Sequence, residues 1–110
     1  MTVQGLIDQL SLTVFHLDDP EREVEGGYCG DLLSWVMGRA PAGGAWLTIM
    51  SNVNVAAVAA LSDVSCVVLA EGVAPDPPLL ERAKAQGITL LGTGQSVYDC
   101  AVQLGGLLGT

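Results

Sequence analysis

Positive charge is the first scarcity: four Lys and Arg stand against twelve Asp and Glu, for a net charge of −8. Nucleic acid binding needs clustered cations to displace counterions from phosphate, and Arg22, Arg39, Arg82 and Lys84 are too few and too scattered. The same shortage excludes an anionic membrane surface as a partner. No apolar run reaches the roughly 18 residues of a membrane span; the longest candidate, residues 53–61, is short and holds Asn54. The N-terminus carries Asp8 early and lacks the basic-then-apolar pattern of a signal peptide, so the chain reads as cytoplasmic. Metal-ligating residues are thin as well. Cys29, Cys66 and Cys100 form no CxxC pair and His16 is the single histidine, so neither a metal nor a cofactor is expected. Aromatics are limited to two Trp, two Tyr and one Phe, which leaves core bulk to Val, Leu, Ile and Ala.

What is abundant points elsewhere. Half of the residues are hydrophobic and only 15% are charged, little charge for a small domain standing alone in water. A homodimer with an apolar interface is therefore expected. The 110 residues fit one domain, residues 1–110, around a single core. Fourteen glycines suit a fold with many tight strand–helix turns.

Thr2 is placed to cap a short helix whose Val3, Leu6, Ile7 and Leu10 share one face. Leu12, Val14 and His16 then alternate with Thr13, Phe15 and Leu17, as in a strand; His16, alone, reads as a structural histidine. Asp18-Asp19-Pro20 signals a turn. Five of the twelve acids fall between residues 18 and 25. They could be read as a metal cluster. Glu21, Glu23 and Glu25 on one strand face, solvated and deterring edge pairing, is the better reading, because three like charges repel without further ligands to hold a cation. Gly26-Gly27-Tyr28-Cys29-Gly30 reads as a glycine-rich turn running into a helix over residues 31–39, with Asp31 at its start.

From there the pattern is regular. Near-continuous apolar strands are expected over residues 45–50, 66–70 and 88–91, separated by helices over residues 53–61 and 77–86 and followed by one after Ser96. Asp76 with Pro77 reads as a helix start and Gly87 as its stop; Ser96 and Asp99 read as a capping box. Alternating strands and helices with short loops mean parallel βαβ units covered on both faces. The class is α/β: a three-layer α/β/α fold with a mostly parallel sheet of about five strands. The strands expected within residues 12–28 would lie at its edge, with antiparallel pairing allowed there. The alanine-rich helix over residues 53–61 can approach the sheet, or a twin helix of a second subunit, closely.

In an open parallel sheet, ligands sit beyond the carboxyl ends of the strands. The turns there gather the small polar residues, and the candidate ligand-binding set is Gly26, Gly27, Tyr28, Gly30, Asp31, Ser34, Thr48, Ser51, Asn52, Asn54, Glu71, Gly72, Thr93 and Ser96. Turns opening into helices would aim free N–H groups at a small anionic ligand such as phosphate or carboxylate; helix capping alone would also select Asp31, Ser51 or Asn52, and Ser96. Catalytic motifs are absent. No lysine follows a glycine turn as a phosphate-binding loop requires. Gly92-Thr93-Gly94-Gln95-Ser96 lacks the third glycine and downstream acid of the dinucleotide fingerprint. GxSxG is missing, so no catalytic residue is expected. Cys29, placed before a helix start, is open to reading as an activated thiol, and an enzyme using Cys29 or Asp31 is the minor alternative.

Several ordered blocks look like a known family. Arg22-Glu23-Val24-Glu25-Gly26-Gly27-Tyr28, Gly30-Asp31-Leu32-Leu33-Ser34, Trp46-Leu47-Thr48-Ile49 and Asn54-Val55-Ala56-Ala57-Val58-Ala59 resemble the stand-alone DRTGG domain proteins, related to the N-terminal, non-catalytic part of HPr serine kinase. The likeness runs on through Glu71-Gly72, Pro75-Asp76 and the Ser96 helix. Within the eponymous letters the Gly26-Gly27 pair matches, while Glu25 stands where threonine and Val24 where arginine is expected. The resemblance implies a regulatory α/β domain without catalytic residues, sensing a nucleotide-like ligand, since such domains accompany nucleotide-sensing CBS domains and pyrophosphatases. It also implies an alternative: an interaction module docking on a hydrogenase- or signalling-related partner.

Overall fold

The computed structural model describes residues 1–109. The order is α1 (Val3–Leu10), β1 (Thr13–His16), β2 (Gly26–Cys29), α2 (Leu33–Arg39), β3 (Gly44–Thr48), α3 (Asn54–Ser62), β4 (Cys66–Leu69), α4 (Pro77–Gln86), β5 (Leu90–Gly92) and α5 (Val97–Leu108). Among the described residues the five strands form one sheet in the order β1-β5-β4-β3-β2; β2 to β5 run parallel and β1 pairs antiparallel with β5.

Successive side chains of a strand point to opposite faces, and each central strand is apolar on both. Ala45, Leu47, Cys66, Val68 and Leu91 meet α1 and α5 on one side. Trp46, Val67, Leu69 and Leu90 meet α2, α3 and α4 on the other. The three-layer α/β/α expectation holds, with its antiparallel edge at β1. Thr2 does cap α1 by accepting from the Gly5 N–H at 3.0 Å, Gly87 ends α4 at φ 68°, and Ser96 caps α5 by accepting from the Asp99 N–H at 3.0 Å.

Where the chain departs from local expectation, distant partners are responsible. Residues 21–25 form no strand. They wrap the start of α1, with the Val3 N–H donating to the Arg22 carbonyl at 2.8 Å and the Val24 N–H to the Met1 carbonyl at 2.7 Å. A single bridge joins Thr2 and Glu23, whose carboxylate takes the terminal ammonium at 2.9 Å. The glycine-rich turn is instead the edge strand β2, parallel to β3 and at the opposite edge from β1. Its glycine at position 27 serves packing: a Cβ there would stand 2.8 Å from Leu104 of α5. In β1 the simple alternation breaks, because the register shifts between Val14 and His16 and Leu17 returns to the same face as Leu12, while Phe15 joins the other. Finally, Asp76 holds the N-cap position of α4 ahead of Pro77 as expected, but neither its carboxylate nor that of Asp31 bonds an N–H of the helix that follows; both are engaged across the chain.

Candidate functional site

Because β2 to β5 share one direction, their C-terminal ends open on a common rim. Asp31 follows β2, Thr48 ends β3, Glu71 and Gly72 follow β4, and Thr93 and Ser96 follow β5. The rim is a hydrogen-bonded clasp. Asp31 Oδ1 accepts from the Thr48 hydroxyl at 2.7 Å and from the Ile49 N–H at 3.0 Å. Trp46 Nε1 donates to the Gly30 carbonyl at 2.9 Å, tying the same loop to β3. Asp76 Oδ1 accepts from the Ser51 hydroxyl at 3.2 Å. Glu71, at φ 61°, and Gly72, at φ 72°, form a left-handed pair. Their N–H groups reach the Gln95 carbonyl at 2.8 Å and the Thr93 carbonyl at 3.0 Å.

The structure thus gathers Gly30, Asp31, Thr48, Ser51, Asn52, Glu71, Gly72, Thr93 and Ser96 along this rim. Ser34 lies in the first turn of α2 and Asn54 opens α3, both exposed. Gly26 and Gly27 fall outside the set: they begin β2, paired with Gly44 and Ala45 at the far end of the sheet. Tyr28 packs on the α2–α4 side.

The expectation of free helix N–H groups is corrected at two of the turns that open into helices, those before α3 and α5, and the start of α4 adds none. Glu71 Oε2 takes the Val97 N–H of α5 at 3.2 Å, Asn52 Oδ1 takes the Asn54 N–H of α3 at 2.9 Å, and α4 begins with two prolines that have no N–H to give. The rim therefore presents mostly acceptors: the carboxylates of Glu71 and Asp76 and the hydroxyls of Ser51 and Thr93. Acceptors suit hydroxyl and amine donors, such as those of a nucleoside, better than bare phosphate.

Two cavities were not foreseen. One of about 200 Å³ lies at the opposite ends of β4 and β5, lined by Asp18, Arg22, Asp63, Ser65 and Thr89 among others. There Arg22, counted in the sequence among four scattered cations, donates to the Asp63 carbonyl at 2.8 Å and to its carboxylate at 3.0 Å. Both groups come from segments 41 residues apart, which no local pattern reveals. The second, of about 190 Å³, lies between β2 and α5, against Gly27, Cys29 and Leu104. Among the described residues no three of His, Cys, Asp and Glu converge to hold a metal ion.

Cys29 is not activated. It sits on a strand rather than at a helix start, and partial burial, then the Asp31 charge, push its thiol above the usual cysteine value. Burial pushes Cys66 up to about 12. A raised pKa means less thiolate at neutral pH. Iodoacetamide is therefore expected to label Cys29 more slowly than free cysteine at pH 7 to 8, with a rate that climbs at higher pH than for the free thiol. Cys66 should stay unlabelled until the protein unfolds. Peptide mapping after timed labelling reads both; labelling of Cys29 faster than free cysteine would contradict the sign.

No protein-family model matches the chain, and no curated protein matches it. A solved structure does: the CBS and DRTGG domains of the regulatory region of a Clostridium perfringens pyrophosphatase, complexed with its activator diadenosine tetraphosphate. The two superimpose with a TM-score of 0.72 at 14% identity, covering 94% of this chain and 45% of the other. The fold is DRTGG-like. Val24, where the resemblance to the DRTGG domain proteins leads one to expect arginine, is only 1% exposed and belongs to the core beside α1. Glu25, in place of threonine, donates its N–H to the Gly43 carbonyl at 2.9 Å. The chain spans less than half of that pyrophosphatase fragment. No helix among the described residues is long and apolar enough to cross a membrane.

Proposed function

We propose that this protein is a non-catalytic regulatory domain, homodimeric and cytoplasmic, that binds a nucleotide-like ligand at the C-terminal rim of its sheet. The observation that carries the reading is the shared fold over 94% of the chain with a regulatory region bound to a nucleotide activator. The rim chemistry agrees with it. Ser51, Asp76, Glu71 and Thr93 offer acceptors to ribose hydroxyls and base amines, while the Asp31–Thr48 clasp positions the loop beside them. Gly26 and Gly27, at the far end of β2, lie outside this site.

Calorimetry on the purified chain tests the reading with adenosine, AMP, ATP, diadenosine tetraphosphate and inorganic phosphate. Binding of at least one adenosine compound, with no heat from phosphate alone, is the expected result; a thermal shift rising with ligand concentration should accompany it. Absence of heat from every nucleoside compound at millimolar concentration would overturn it. The rival reading, a module docking on another protein, is favoured by the outward face of α5, where Tyr98 and Val102 are 75% and 56% exposed.

A further inference from the structure

Helix α2 is held by little. Of its seven residues only Val36 is fully buried, with Leu33 half-buried beside it. A helix so short relies on tertiary burial to persist, and α1, one residue longer, buries four side chains. What α2 and its entry turn outward is apolar instead: Leu32, Trp35 and Met37 are 55%, 52% and 50% exposed. Trp35 is one of two tryptophans, and the other, Trp46, is completely buried. Tryptophan, methionine and arginine are the side chains enriched where proteins meet.

Charge says which partner fits. From Leu32 to Ser62 the sole charged residue is Arg39, and all twelve acids lie outside this stretch. Two copies at −8 each repel over most of their surface; the α2–α3 side is where they can meet without opposing carboxylates. A basic partner would be drawn to the acidic surfaces instead. The face is also self-complementary. Arg39 forms no ion pair among the described residues, and its guanidinium lies 4.0 Å over the Trp35 ring. Asp31 accepts both of its hydrogen bonds on Oδ1, leaving Oδ2 without one among the described residues. Trp35 and Arg39 are spaced at i and i+4 on α2 and share one face of it, while Asp31 stands two residues ahead of the helix, at the end opposite Arg39. An antiparallel two-fold pairing that sets Asp31 against Arg39 centres on Trp35. Gly38, with nothing within 4 Å of where a Cβ would stand, lets the helices close in.

We propose that the outward face of α2, centred on Trp35, is an isologous interface between two copies of this chain, Arg39 of each copy pairing with Asp31 of the other. This rests on the homodimer reading above. Sedimentation equilibrium over a concentration series tests it with the wild-type chain, Trp35→Ala and Arg39→Glu, both substitutions at exposed positions. The wild-type chain is expected to be a dimer. Trp35→Ala should raise the dimer dissociation constant about 100-fold and Arg39→Glu about tenfold, with far-UV circular dichroism unchanged. Wild-type fluorescence should shift to the red on dilution as Trp35 becomes wet, while Trp46 stays buried. A monomeric wild type at high concentration would overturn the homodimer reading and this interface together. A dimer indifferent to both substitutions would overturn this interface alone.

Discussion

Trp46→Ala is expected to lower the free energy of unfolding by about 3–5 kcal/mol, a large share of the roughly 5–15 kcal/mol that holds such a domain together. Trp46 is fully buried among Val36, Val55, Val67 and Leu69. Its loss leaves a cavity at the centre of one layer and deprives the Gly30 carbonyl of a donor now 2.9 Å away. Two effects therefore add: missing packing, and an unanswered acceptor in the loop that carries Asp31. Trp46→Phe separates them, keeping much of the volume while removing the N–H, and should cost about 2 kcal/mol. Urea unfolding followed by far-UV circular dichroism measures both, since the fluorescence of the variants reports Trp35 only. A loss below about 1 kcal/mol for the alanine variant would mean that the surrounding side chains collapse into the space, and that the layer is softer than its burial implies.

Breaking the clasp at the rim is the second large effect. Thr48→Val keeps the shape of a side chain that is completely buried but removes its hydroxyl. That hydroxyl donates to Asp31 at 2.7 Å and accepts from the Met50 N–H at 3.2 Å. A hydrogen bond to a charged group contributes about 1.5–3 kcal/mol, but Asp31 is exposed, which trims its share. Thr48→Val is expected to cost about 2 kcal/mol, equivalent to a melting point lower by about 8 °C. Asp31→Ala should cost a similar amount, because it strands both the Thr48 hydroxyl and the Ile49 N–H. The two losses should not add in the double variant, which is the signature of one shared interaction. If they do add, Asp31 and Thr48 act on separate parts of the fold. Loosening this loop should also weaken the nucleotide affinity proposed for the rim.

Much of the architecture was legible from local pattern. The runs that became β3, β4 and β5 are apolar on both faces and bounded by glycine or polar turns, and only a doubly covered parallel sheet accommodates such strands. Thr2, Gly87 and Ser96 act at helix ends as their chemistry dictates. Gly26-Gly27 misled because glycine has two uses: here position 27 admits the Leu104 side chain of α5 to a strand, rather than bending a turn. The acids of residues 21–25 misled because their alternation was real while their neighbours were not other strands but the first turn of α1. At the rim, most of the small polar residues expected beyond the strand ends do lie there. Their occupation by one another was not.

Composition and short-range spacing were enough to set the α/β class, the excess negative charge and the turns that crowd one end of the strands. These follow from side-chain periods and backbone preferences acting within a dozen residues. Folding in three dimensions decided the rest: which strands became edges, that Asp31 answers Thr48 rather than its own helix, and that Trp35 faces outward while Trp46 is sealed inside. Each of those outcomes depends on a contact between segments far apart along the chain, and the energy of such a contact exists only once the layers have closed.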